Sequence, residues 1–115
     1  MAITGAHVIL FTPEAEAVRV FFRDVAGWDH VDAGHGWLIF AAPPTELAVH
    51  PSDGSTQHEL YLHCDDIKET VGELRAMGVE FVGEPEELDY GIQATMVLPG
   101  GLEVALYEPR HETAV

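Results

Sequence analysis

The stretch "HVILFTPEAEAVRVFFRDVAGW", His7 to Trp28, and the stretch "ELYLHCDDIKETVGELRAMGVEF", Glu59 to Phe81, are two writings of one pattern. Each opens on an alternation, the mark of a strand with two unlike faces. In the first, Val8, Leu10 and Thr12 share one face, and His7, Ile9 and Phe11 the other. In the second, Leu60, Leu62 and Cys64 form an apolar face and leave Glu59, Tyr61 and His63 opposite. The period then changes to that of a helix. Val18, Phe21, Phe22 and Val25 make one stripe, and Ile67, Val71, Leu74 and Met77 the other. Thr12 before Pro13 predicts a capped start for the first helix. Asp65 or Asp66 does so for the second, with Glu69 in capping-box position. Gly27 and Gly78 predict the two ends.

Working outward, each helix is followed by strands. The first copy continues with a turn-rich "DHVDAGHG", the strand "WLIFAAP", a "PPTE" turn and "LAVH". The second continues with "GEPEELDYG", the strand "IQATMVL", a "PGG" turn and "EVALY". A weak strand near Asp29–Asp32 and another near Glu80–Glu84 complete the pattern β-α-β-β-β in each copy. The linker "PSDGSTQ", Pro51 to Gln57, holds only loop-forming residues. One such module leaves a sheet face uncovered, so the two should pack together. The expectation is an α+β fold of two tandem modules, about 5–51 and about 57–109, in one domain spanning 1–115.

Composition excludes several function classes. With 115 residues the chain has the size of one domain, and 47% apolar residues suffice for a core. Cys64 is the only cysteine, which rules out an internal disulfide and a cysteine-rich zinc site. Twenty acidic residues against five basic give a formal charge of −15. Nucleic acid and anionic membrane would be repelled. The same charge serves either as a solvating coat or as a field that steers cationic ligands. "MAITGAHVILF" shows neither a basic n-region nor a long apolar run, so a cytoplasmic protein is expected.

A second repetition lies inside the first. "ELAVHP", Glu46 to Pro51, returns 57 positions later as "EVALYEP", Glu103 to Pro109, each with an alanine between aliphatic residues. The order of elements, with "FFRDVAGW" early and "PGGLEVALYEP" late, resembles the vicinal oxygen chelate superfamily. That superfamily includes glyoxalase I, extradiol dioxygenases and bleomycin-binding resistance proteins. The resemblance covers about residues 5 to 109 and implies a U-shaped cleft between two curved half-sheets, in chains that commonly pair as homodimers. It implies metal ligands at the start of the first strand and in the last strand of each module. Those positions are His7 and Glu59, then Ala48 and Ala105. An alanine methyl cannot ligate a cation, so the usual metal set is incomplete.

Alternation from these anchors nominates the cleft residues. His50 lies two residues beyond Ala48, and Tyr107 two beyond Ala105; stepping back reaches Glu46 and Glu103. The candidates for ligand contact are His7, Phe11, His50, Glu59, Tyr61, His63 and Tyr107, with Ile9 as further lining. A one-residue slip would put His58 inward, but it would also turn Leu60, Leu62 and Cys64 into the cleft. The five polar candidates also have a plain reading: a structural hydrogen bond for His7, an ion pair for Glu59, packing for Tyr107, solvent for His50 and His63; Phe11 and Tyr61 are apolar lining. Trp28 reads as core, Trp37 as strand residue of open facing, and His30, His35 and His111 as solvated.

Two functions follow. The first is a small-molecule binding protein with a degenerate metal site, since paired alanines remove charge and leave room. The second is a metal-dependent lyase, isomerase or dioxygenase using His7, His50 and Glu59, a set that suits Fe, Mn, Ni or Zn. His50 sits about 7 Å along the strand from the usual place, so the second needs the sheet to curve. A metal-free enzyme with Glu59 as base and His7 as acid is a third arrangement.

Overall fold

A computed structural model describes residues 7–46, 48–51, 53–54 and 58–115. In chain order it contains helix α1 (Ala15–Val20), a π-helical turn (Phe21–Val25) and strands β1 (His30–Asp32) and β2 (Leu38–Phe40). Strand β3 (Tyr61–His63), helix α2 (Ile67–Ala76) and strands β4 (Glu80–Leu88), β5 (Gly91–Leu98) and β6 (Leu102–Pro109) follow. The fold is α+β with two sheets. Strands β1 and β2 form an antiparallel pair, and the larger sheet runs β3-β6-β5-β4. In that sheet β3 and β6 are parallel and the other pairs antiparallel. A parallel neighbour reached through α2 is what a β-α-β-β-β unit builds, so the second half forms as expected.

The local signals of α2 act as read. The Asp66 carboxylate accepts from the Glu69 N–H at 3.1 Å, capping the first turn. Gly78 adopts φ 89°, the left-handed conformation that stops the helix. Ile67 and Val71 are buried and Leu74 packs beside them. Met77 departs from expectation: it lies just past the last turn and is exposed. The first helix is shorter than its signal. It begins at Ala15, and Thr12 accepts from the Glu14 N–H while donating to the Pro99 carbonyl at 3.1 Å. Thr12 therefore ties the helix entry to the turn before β6 instead of capping it.

Residues of both helical segments and of β5 and β6 share one core. It holds Val18, Phe21 and Phe22 with Ile67, Val71, Met96 and Val104. Trp28 stacks on Phe22 at 4.8 Å, as a core residue should. The helices cover one face of the larger sheet, which leaves its other face for a site.

Three strand expectations need correction. The segment read as a turn after Glu84 continues β4 to Leu88, through Pro85. This is tolerated because β4 is an edge strand and its register shifts between Val82 and Glu86, where the missing N–H needs no partner. "WLIFAAP" shortens to Leu38–Phe40. Finally, residues 7–12 and 48–50 carry no strand assignment. A strand exists only as part of a ladder, and among the described residues neither segment joins one. The linker at Pro51–Gln57 and the "LAVH" segment lie partly outside the described residues.

Candidate functional site

The uncovered face of the larger sheet is set by alternation. On β6, Val104 and Leu106 turn to the core, which leaves Glu103, Ala105 and Tyr107 for the opposite face. On β3, Leu62 packs against the core, as do its neighbours Leu60 and Cys64, so Tyr61 and His63 stand opposite. Pairing then sets the rows. Tyr61 is level with Ala105, and Ala105 with Thr95; His63 is level with Tyr107, and Tyr107 with Gln93. The repeated alanine in the second half is thus a small residue beside Tyr61 in the middle of the floor.

Around Tyr107 the chain gathers an aromatic cluster. The His63 ring stands edge-on to it at 4.6 Å and the Tyr61 ring at 5.4 Å. Tyr90, at the turn into β5, approaches at 6.2 Å and donates to the Gln93 side-chain oxygen at 3.0 Å. All three tyrosines of the protein meet here. Glu46 arrives from the first half: one carboxylate oxygen lies 3.4 Å from His63 Nε2.

The segment after β6 closes over this floor. The Arg110 N–H donates to the Tyr90 carbonyl at 2.9 Å, extending the ladder by one bond. His111 Nδ1 donates to the Glu112 carbonyl at 2.8 Å, since a carbonyl can only accept. In the neutral imidazole Nε2 is then an acceptor, so the Tyr107 hydroxyl donates to it at 2.9 Å. The Ala114 N–H donates to the second oxygen of Glu46.

Two phenols of the site and the thiol behind it are held in their neutral forms. Burial, then a hydrogen bond to the Glu59 carboxylate, pushes the Tyr61 hydroxyl up to about 12. Burial, then the charge of Glu46, raises Tyr107 as well. On the other face, burial pushes the Cys64 thiol up to about 11 in spite of a bond to Thr70. At neutral pH the phenols are protonated donors and the thiol is not a nucleophile.

Of the predicted residues, Tyr61, His63 and Tyr107 come together, with Glu59 beside Tyr61. His7, Phe11 and His50 are exposed, Phe11 at 85%. His7, His50 and Glu59 are not gathered as a ligand set. Among the described residues no group of three His, Cys, Asp or Glu side chains stands close enough to hold a metal ion. Glu46 and Tyr90 lie outside the predicted set, and His111, expected in solvent, bonds to Tyr107. The alternation through Ala48 had already put Glu46 on the cleft side, and the step across the β5–β6 turn could have found Tyr90; nothing local marks His111. Trp37 is exposed, with the Arg19 guanidinium 5.0 Å above its ring. No helix among the described residues is long and apolar enough to cross a membrane.

Known proteins share this architecture. TnmS3, an antibiotic binding protein from Streptomyces sp. CB03234, superposes with a TM-score of 0.67 at 26% identity, over 95% of this chain and 98% of that one. A member of the glyoxalase/bleomycin resistance protein/dioxygenase superfamily from Sphaerobacter thermophilus DSM 20745 gives 0.62 at 21% identity, over 92% and 98%. By sequence, the uncharacterized protein YetH of Bacillus subtilis (strain 168) is 28% identical over 97 residues, 73% of this chain and 80% of its own. No family model matches. With the strand order β3-β6-β5-β4 around α2 and neighbours of this kind, the chain has the fold of the glyoxalase/bleomycin resistance/dioxygenase, or vicinal oxygen chelate, superfamily.

Proposed function

We propose that this protein binds a small organic molecule on the open face of the larger sheet, in the manner of a sequestering protein. The carrying observation is the convergence of Tyr61, His63 and Tyr107 with Glu46 on one floor, among phenols that stay protonated at neutral pH. A few polar groups set among aromatic rings is the usual make-up of a ligand site. The likeness to an antibiotic binding protein supports the same reading. Titration of isotope-labelled protein with a library of small aromatic compounds tests it. Hits should shift the amide signals of Tyr61, His63 and Tyr107, and Tyr61→Ala should weaken them about tenfold. Hits that instead shift His7 and His50, together with one divalent metal per chain in untagged protein, would transfer the assignment to a metal-dependent enzyme.

The chain works as a homodimer in this reading. It exposes 8676 Å², against roughly 6,200 Å² for a compact protein of its mass. Its radius of gyration is 15.2 Å, where about 13.4 Å is usual for this length. The excess of roughly 2,500 Å² is of the size that permanent dimers bury. Much of the apolar part lies in the first half, on Val8, Ile9, Phe11, Trp37 and Val49. A lone two-stranded hairpin such as β1–β2 is marginal in water and gains from a covering partner. Sedimentation equilibrium should therefore return twice the 12.6 kDa of one chain, and the double change Phe11→Asp, Val49→Asp should return one. A wild-type protein that stays monomeric at every concentration would end this proposal.

A further inference from the structure

Resting on that binding reading, we infer the class of ligand: a protonated organic amine, held between Glu46 and the rings of Tyr61, Tyr90 and Tyr107, at a site that the chain's own segment 110–115 covers. Three observations lead there independently of overall charge.

The first is the ring arrangement. Tyr61, Tyr90 and His63 all stand close to perpendicular to Tyr107, with interplanar angles of 89°, 74° and 82°. Rings packed at right angles leave π faces outside their mutual contacts, and such faces attract an ammonium group. The second is the acid. The Glu46 side chain is only 18% exposed, yet among the described residues its partner within ion-pair distance is His63, whose charge depends on protonation. A half-enclosed carboxylate beside aromatic faces is matched best by a full positive charge that carries an N–H.

The third observation is what the site already accepts. Ala114 presents a backbone N–H to Glu46, and the His111 imidazole sits on the Tyr107 hydroxyl. A nitrogen heterocycle and an N–H donor, joined by a short stretch of chain, meet the Tyr107 hydroxyl and the Glu46 carboxylate. A protonated amine donates to Glu46 in place of the Ala114 N–H, and its charge makes that bond stronger than a neutral amide does; the Tyr107 hydroxyl, released from His111 Nε2, offers the ammonium its oxygen lone pairs. Segment 110–115 then acts as a cover that the amine displaces. Among the described residues the cover is held by these contacts and by the Arg110 bonds to Tyr90 and to Glu87.

Amide-shift titrations of the full-length chain at neutral pH test this with three probes of one shape: benzylammonium, benzyl alcohol and phenylacetate. Benzylammonium should bind about tenfold more tightly than benzyl alcohol, with phenylacetate weakest. Glu46→Gln keeps an acceptor for the Ala114 N–H and removes the charge, so it should erase most of the preference for the cation. His111→Ala loosens the cover and should tighten benzylammonium about threefold. The opposite signs separate this site from the diffuse pull of a −15 chain, which would survive Glu46→Gln unchanged. Equal binding of the alcohol and the cation at Tyr61 and Tyr107 would overturn the amine assignment and leave the small-molecule reading standing. Binding of all three probes away from these tyrosines would overturn both.

Discussion

Met96→Ala should lower the free energy of unfolding by about 3–4 kcal/mol. Met96 is 1% exposed at the middle of β5, level with Phe81 on one neighbouring strand and Val104 on the other. It belongs to the cluster that joins α2, through Ile67 and Val71, to the π-helical turn, through Phe21 and Phe22. Truncation removes three heavy atoms from the place where both halves meet, and backbone ladders on each side keep the gap from collapsing. Met96→Leu conserves volume and should cost less than about 1.5 kcal/mol. Urea unfolding at fixed protein concentration measures both, with a shifted midpoint and an unchanged slope as the expected form. A loss below about 1 kcal/mol for the alanine variant would mean that Met96 is not central to the core.

Gly91→Ala should cost about 3 kcal/mol, although it adds only one methyl group. A Cβ at Gly91 would lie 2.3 Å from the Glu108 carbonyl oxygen and 3.2 Å from Pro109 Cα. Both are backbone atoms of β6, so no side chain can rotate away. Gly91 faces Pro109 in the register, and the next bond in the ladder joins Arg110 to Tyr90. Relief therefore requires the ends of β5 and β6 to part, next to Tyr90 and Tyr107. The variant should also broaden or move the resonances of those two tyrosines, which the Met96 changes should leave in place. Gly100 makes a useful contrast. There a Cβ would meet the Thr12 hydroxyl at 2.2 Å, a side-chain atom that can move, but φ 82° adds strain of its own. An unfolding midpoint for Gly91→Ala within error of wild type would show that this end of the sheet is looser than its packing implies.

What the sequence by itself determined is what short-range physics governs. The Asp66 cap, the Gly78 stop and the stripe of Ile67, Val71 and Leu74 act within a few residues of one another, and α2 follows from them. The alternation through Leu60, Leu62 and Cys64 records which face of β3 is apolar, so the placing of Tyr61 and His63 opposite was legible too. Tandem repetition then carried the fold class. Tertiary structure alone decided what those faces meet. Glu46 and Ala114 are bonded across 68 positions, and Thr12 and Pro99 across 87; no local pattern encodes such pairs. The passage of β4 through Pro85 depends on its being an edge, which only the strand order reveals. His7 and His50 occupy positions that alternation marks as inward. Facing, however, has meaning only within a sheet, and among the described residues their segments have no ladder to give it. Alternation tells a side chain which way to turn, and only the folded chain supplies what stands there.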